Sequence, residues 1–375
     1  MAALAGCGGA AAPVSPAASA SPASAAAKPA ASAAASASAK PAASAASAAA
    51  KPAGSEVAKP AASAAAKPGL TQLKAAYVTV LAFGALYRAI DKGYLADQGI
   101  DLDLTVVQSG TNAMAFLGSG QLDAVFGNIG DTFFNAINRG LNLRIVAGIT
   151  YSPSDPKTTY SAPLVGRKDL MDSGAIKSVA DLKGKKVAMN TFGGIQEYNI
   201  TKALEPAGLT VKDIDATILG FPDMPAALKN KAIDAAQPPE PFYTVSVEQG
   251  AAALLVPNPA PGTMITGLMY GSKLLAPENE RLAKGLIEAV KRASNELQTK
   301  EQMDAADNVA IWAKWSKQSE DSIRKQVPNV FAKDLVIDEK SVLDQQAVML
   351  KNGRLDYKQP LPDSQIFDTR WAPKK

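Results

Sequence analysis

Residues 181–209, DLKGKKVAMNTFGGIQEYNITKALEPAGL, decide the fold. Residues 185–190 form a short, mostly apolar run of strand type. Thr191, Phe192, Gly193 and Gly194 break it, and the two glycines suit a tight turn with positive φ. From Ile195 onward, the spacing of Ile200, Ala203, Leu204 and Ala207 predicts a helix with one apolar face. Pro206 should end that helix early. Strand, glycine turn and helix start form the unit at which an open α/β sheet places a ligand. The unpaired N–H groups of the first helical turn favour negative or strongly polar groups there. A single unit of this kind also fits a strand–helix pair that binds nothing. Recurrence at 73–92, 99–119, 124–139 and 215–230 argues for a site.

The turns of those units supply the candidate ligand shell. Residues 73–81 predict a strand that ends at Ala82, Phe83 and Gly84, with a helix over 85–92. A strand over 99–107 leads to Ser109, Gly110, Thr111 and Asn112, then to a helix over 113–119. The strand at 124–127 leads to Asn128, Ile129, Gly130 and Asp131, with Asp131 placed to cap a helix through Arg139. Further strands are predicted at 143–149 and 160–166, inside a first lobe over 70–175. A second lobe is expected over 176–262, and a strand at 263–271 opens the return, over 263–375, to the first lobe and C-terminal helices. Helices are predicted over 278–299, 303–317 and 339–351; Trp312 and Trp315 should pack on the lobe. An internal echo supports two similar lobes. Leu117 stands six residues before Asp123-Ala124, as Leu228 does before Asp234-Ala235.

The front of the chain reads differently. Leu4-Ala5-Gly6-Cys7 matches a bacterial lipobox, which makes Cys7 a candidate for lipidation. Only six residues precede it, without a charged or apolar leader, so the upstream signal peptide is expected to be missing and 1–7 to be its remnant. Residues 8–69 are Ala, Ser, Pro, Gly and Lys almost throughout, with Lys-Pro at 28, 40, 51, 59 and 67. Proline at that interval cuts helices below a stable length, and there is little apolar surface to bury. A disordered tether reaching roughly 40–50 Å is expected. Its five lysines and one glutamate carry the whole net charge of +4, leaving 34 basic and 34 acidic residues in the body. That balance excludes a nucleic-acid footprint. With no histidine, and its lone cysteine at position 7, the body lacks the usual general base and transition-metal ligands. No catalytic residue, metal or cofactor is expected.

Four groups of residues resemble the substrate-binding proteins of ABC importers, in the branch for nitrate, sulfonates, taurine and thiamine-pyrimidine precursors. They are Asp91-Lys92-Gly93-Tyr94 with Gly99-Ile100; Gly120-Gln121-Leu122-Asp123-Ala124; 181–187; and Glu240-Pro241-Phe242. The resemblance implies an α/β, two-lobed type II periplasmic-binding-protein fold, each lobe a mostly parallel sheet flanked by helices. It also implies a monomer, anchored outside the cytoplasm by its lipid, that delivers a small molecule to a permease and its ATPase. Carried over by position, the ligand shell is Phe83, Gly84, Ser109, Gly110, Thr111, Asn112, Asn128, Ile129, Gly130, Asp131, Thr191, Phe192, Gly193, Gly194 and Glu240. Glu197, Tyr198 and Phe242 are further candidates.

The ligand stays open at this point. Helix N-termini favour an anion. Yet the named loops hold no Arg or Lys, and Asp131, Glu240, Phe83, Phe192 and Phe242 suit an amine or a hydrogen-bonding ring. A zwitterion or neutral heteroaromatic fits both halves better than nitrate. The cluster 183–186 lacks Walker spacing and reads as a solvated turn. The rivals are a pyrimidine-precursor synthase on the same fold, which the resemblance says needs histidine and pyridoxal phosphate, and a sensing receptor domain.

Overall fold

Eleven strands among the described residues sort into two sheets, and the cleft between the sheets positions the site. The computed structural model describes residues 67–107 and 110–375. Cys7, almost all of the tether and Ser109 lie outside the described residues, as do the side chains of Thr111 and Asn112.

The first sheet contains β1 (Thr71–Tyr77), β2 (Ile100–Val106), β3 (Ala124–Asn128) and β4 (Arg144–Tyr151). The second contains β5 (Leu164–Arg167), β6 (Lys186–Met189), β7 (Asp215–Ile218), β8 (Ala235–Ala236) and β9 (Ala252–Val256). The chain then returns to the first sheet with β10 (Met264–Tyr270) and β11 (Val330–Phe331). The strand orders are β11-β4-β10-β3-β1-β2 and β7-β6-β8-β5-β9. The main helices are α1 (Gly84–Asp91), α2 (Asp131–Asn138), α3 (Ile195–Leu204), α4 (Phe242–Glu248), α5 (Glu280–Asn295), α6 (Ala306–Ser316) and α7 (Glu339–Lys351).

The two sheets repeat one plan. β1 runs parallel to β2 and β3, and β10 joins antiparallel; β6 runs parallel to β7 and β8, and β5 joins antiparallel. The echo in the sequence is the seam of that plan. Asp123 accepts the Lys74 N–H at 2.9 Å and donates its own N–H to the Lys74 carbonyl at 2.8 Å. Asp234 makes the same pair with Lys186, at 3.0 and 2.8 Å. Each aspartate also meets a cation, Lys273 at 3.0 Å and Arg167 at 2.9 Å. Leu117 and Leu228 are both buried.

One strand falls in the other lobe from the one expected. The run at 160–166, expected in the first lobe, becomes β5 of the second sheet, where Val165 pairs with Ala236 and Leu254. An apolar run indicates a strand, but its sheet is settled by partners far along the chain. The second sheet therefore begins ahead of residue 176. The segments joining the sheets bond to each other, Ser152 N–H to the Thr263 carbonyl at 2.9 Å and Tyr160 N–H to the Pro257 carbonyl at 3.0 Å.

Helix α3 ends at Leu204, and the turn Glu205–Ala207 carries Pro206. The tryptophans pack as expected. Trp315 stacks on Tyr87 at 5.0 Å, and Trp312 is buried over Gly84. Helix α5 buries Leu282, Leu286, Val290 and Ala293 on one face, the 3.6-residue stripe of a packed surface helix.

Candidate functional site

Between the lobes lies a cavity, lined from both sides and partly open to solvent. It sits beyond the carboxyl ends of β1, β3, β6 and β8, where an open α/β sheet binds ligands. Both lobes supply the wall. Val78, Val80 and Phe83 come from the turn after β1, Asn128 from the end of β3, and Asn190, Gln196 and Asn199 from β6–α3. Tyr160 and Ser161 come from the crossing region, Thr266 comes from β10, and Phe221, Gln237, Glu240 and Asn329 complete it.

Helix α3 is buried on nearly every side, and each side has its own task. Ile200, Ala203 and Leu204 pack on the second sheet's core. Gln196 and Asn199, three residues apart and so on one face, reach the cavity. Glu197, Tyr198 and Thr201 meet the C-terminal segment. Gln196 accepts the Asn190 N–H at 2.5 Å and donates to the Gln237 carbonyl. Gln237, fully buried, donates its Nε2 to the Ala162 carbonyl at 2.9 Å, and its Oε1 has no partner. Asn199 Oδ1 is likewise buried without a partner. Glu240 is the single acid of the wall, and no Lys or Arg lines it. Its carboxylate accepts Val327 N–H at 2.8 Å, Thr244 Oγ at 2.9 Å and Thr244 N–H at 3.2 Å. Burial pushes the Glu240 carboxyl above its ordinary range, although those three bonds pull the other way.

Of the residues expected to touch ligand, Phe83, Asn128 and Glu240 reach the cavity wall. The others have different work. Gly84 underlies Trp312, and a Cβ there would stand 2.6 Å from the indole nitrogen. Gly110 is pressed on β3, its N–H donating to Asn128 Oδ1 at 3.2 Å. Ile129 is core, and Gly130 caps α2 in place of Asp131, which is the helix's first residue. Phe242 is off the wall and stacks on Phe221, which is on it, at 6.5 Å.

The glycine turn is an interlobe contact. Asp131 donates its N–H to the Gly193 carbonyl at 2.8 Å, joining α2 of the first lobe to the second. Gly193 has φ +68°, as expected; Gly194, with φ −105° and ψ −177°, is extended, contrary to the expected positive φ. The Gly193 N–H, expected to face a ligand, donates to Glu197 Oε2 at 2.7 Å. Glu197 is buried and held by Arg354, whose Nε lies 2.9 Å from both carboxylate oxygens. The Arg354 guanidinium also covers the Phe192 ring, 4.4 Å from its centroid. Tyr198 donates to Asp344 at 2.7 Å. Thr191, Phe192, Gly193, Gly194, Glu197 and Tyr198 therefore stand off the cavity wall.

The quoted stretch did hold a signal for the amides. Gln196 and Asn199 are amides three residues apart, on one face of the helix that follows the glycine turn. Tyr160, Phe221, Gln237 and Asn329 carry no local pattern. The cluster 183–186 lies at the opposite end of β6 and is solvated, as expected.

The model of the family described as NMT1/THI5 like matches residues 81–302. A relative from Escherichia coli (strain K12), named as an aliphatic sulfonates-binding protein, is 38% identical over 85 residues. That match covers 22% of this chain, and the chain spans about a quarter (26%) of that relative's length. The alkanesulfonate-binding protein of Xanthomonas axonopodis pv. citri bound to MOPS superposes with a TM-score of 0.64 at 19% identity, covering 81% of this chain and 99% of that one. The periplasmic nitrate-binding protein of Synechocystis PCC 6803 gives 0.64 at 17%, covering 77% and 83%. At such identities the likeness is one of fold, the two-lobed binding-protein architecture expected from the sequence.

Proposed function

The chain belongs to the NMT1/THI5-like family, and from that premise we propose that it captures a small solute between its lobes for an ABC importer. The observation that carries this reading is the interlobe cavity, walled by both lobes with apolar rings and buried amides. The sulfonate- and nitrate-binding names of the similar proteins support it. Capture is favoured over catalysis because the described wall holds no histidine, cysteine or lysine to move a proton, and Glu240 is held by three donors. We place the protein outside the cytoplasm, tethered through Cys7; Cys7→Ser, expressed behind an intact signal, should leave the membrane fraction.

A thermal-shift screen of sulfonates, amino acids, pyrimidines and aromatic acids tests the reading. A solute at a hundred times its Kd stabilises the folded state by about 2.7 kcal/mol. A bound compound recovered unchanged supports capture. Conversion to product during incubation, followed by mass spectrometry, would replace capture with catalysis.

A further inference from the structure

We propose that the captured solute is a flat molecule, neutral or cationic, that donates N–H or O–H hydrogen bonds, and not an oxyanion. This rests on the reading of the cavity as a solute site.

One N–H that an oxyanion would seek, that of Gly193, is already taken from within. Glu197 Oε2 accepts the Gly193 N–H at the start of α3, and Arg354 neutralises that carboxylate. In the cavity itself Glu240 is the sole charged side chain. An anion there would lose its water, gain no counterion and face a carboxyl group.

The open valences of the wall point the same way. Gln237 cannot turn its amide without losing the bond from Nε2 to the Ala162 carbonyl, so Oε1 is a fixed, buried acceptor awaiting a donor. Asn199 Oδ1 is a second buried acceptor without a partner. Asn128 and Asn329 have committed their carbonyls to Gly110 N–H and Ser161 Oγ, which leaves their amino groups to donate. A solute with both donors and acceptors matches these groups. Phe83, Tyr160 and Phe221 provide faces for an aromatic or otherwise flat body.

The test titrates the full chain at millimolar concentration with two panels, cytosine and benzamide against nitrate and ethanesulfonate, with chloride as the ionic-strength control. Cytosine or benzamide should raise the melting temperature, while nitrate and ethanesulfonate should match chloride. Gln237→Leu and Asn199→Leu should each weaken the binding probe about tenfold or more. If both variants misfold, the panels on the unaltered chain decide alone. Binding of the oxyanions without the donors overturns the inference and leaves solute capture standing. Silence from both panels overturns the inference and the cavity reading together. Undiminished binding in two folded variants also overturns it, because the solute then does not use these acceptors.

Discussion

At the scale of single residues, the two glycines of the 191–194 turn separate by conformation. Gly193 combines φ +68° with an added Cβ 2.0 Å from Asp131 Oδ2, so any side chain is strained and also drives the lobes apart. Gly194 has an ordinary backbone, and its Cβ would meet Thr191 Cγ2 at 2.9 Å and Asn128 Nδ2 at 3.2 Å, where side chains can shift. Gly193→Val should therefore lower stability by about 2–4 kcal/mol, backbone strain and overpacking together, and Gly194→Val by clearly less. Chemical denaturation of the two variants checks the order, and an equal or reversed loss would refute it. Lys185→Ala, at the far end of β6, should change little. The sequence showed that a glycine turn stood here, and local chemistry made it visible. Which glycine was indispensable depended on Asp131, which approaches from the other lobe and leaves no trace in residues 181–209.

At the scale of elements, the C-terminal segment is the part the sequence left dark. Its pattern gave helix α7 its bounds but no purpose for residues 352–357. They form a clasp. Asn135 of α2 donates to the Arg354 carbonyl at 3.3 Å, Arg139 pairs with Asp356 at 2.6 Å, and Arg354 then holds Glu197 of α3. The partners stand 157 residues apart in the chain, beyond the reach of periodicity or motif. Arg354→Met should cost about 2–3 kcal/mol near neutral pH, since Glu197 would be left buried without its cation. The loss should depend on pH. Burial pushes the Asp131 carboxyl up, the Thr132 N–H draws it down, Glu197 raises it further, and Arg354 lowers it. Without the guanidinium the folded-state pKa of Asp131 rises again. A raised carboxyl pKa contributes stability below the ordinary carboxylate range that is lost as pH climbs through the folded value. The deficit of Arg354→Met should thus be smallest near pH 4 and largest at pH 7. Denaturant titrations across that interval would show it, and a flat deficit would remove Arg354 from this role.

For the whole molecule, two lobes built on one plan were legible because the Asp123 and Asp234 seams recur at matching spacing. The misplaced β5 and the unforeseen Tyr160, Gln237 and Asn329 share one cause: each is located by the crossing of the lobes, and that crossing is a property of the assembled chain. Among the contacts that join the lobes are the paired crossing segments, the bond from Asp131 to Gly193, and the clasp. Parting of the last two should widen the way into a cavity that is already partly open to solvent. Capture should then have a speed limit of its own. In stopped-flow mixing, the observed rate should rise with solute concentration and level off at the rate of parting, instead of climbing without bound. Arg354→Met should raise that ceiling, and the same grip that slows arrival should lengthen the time a solute stays.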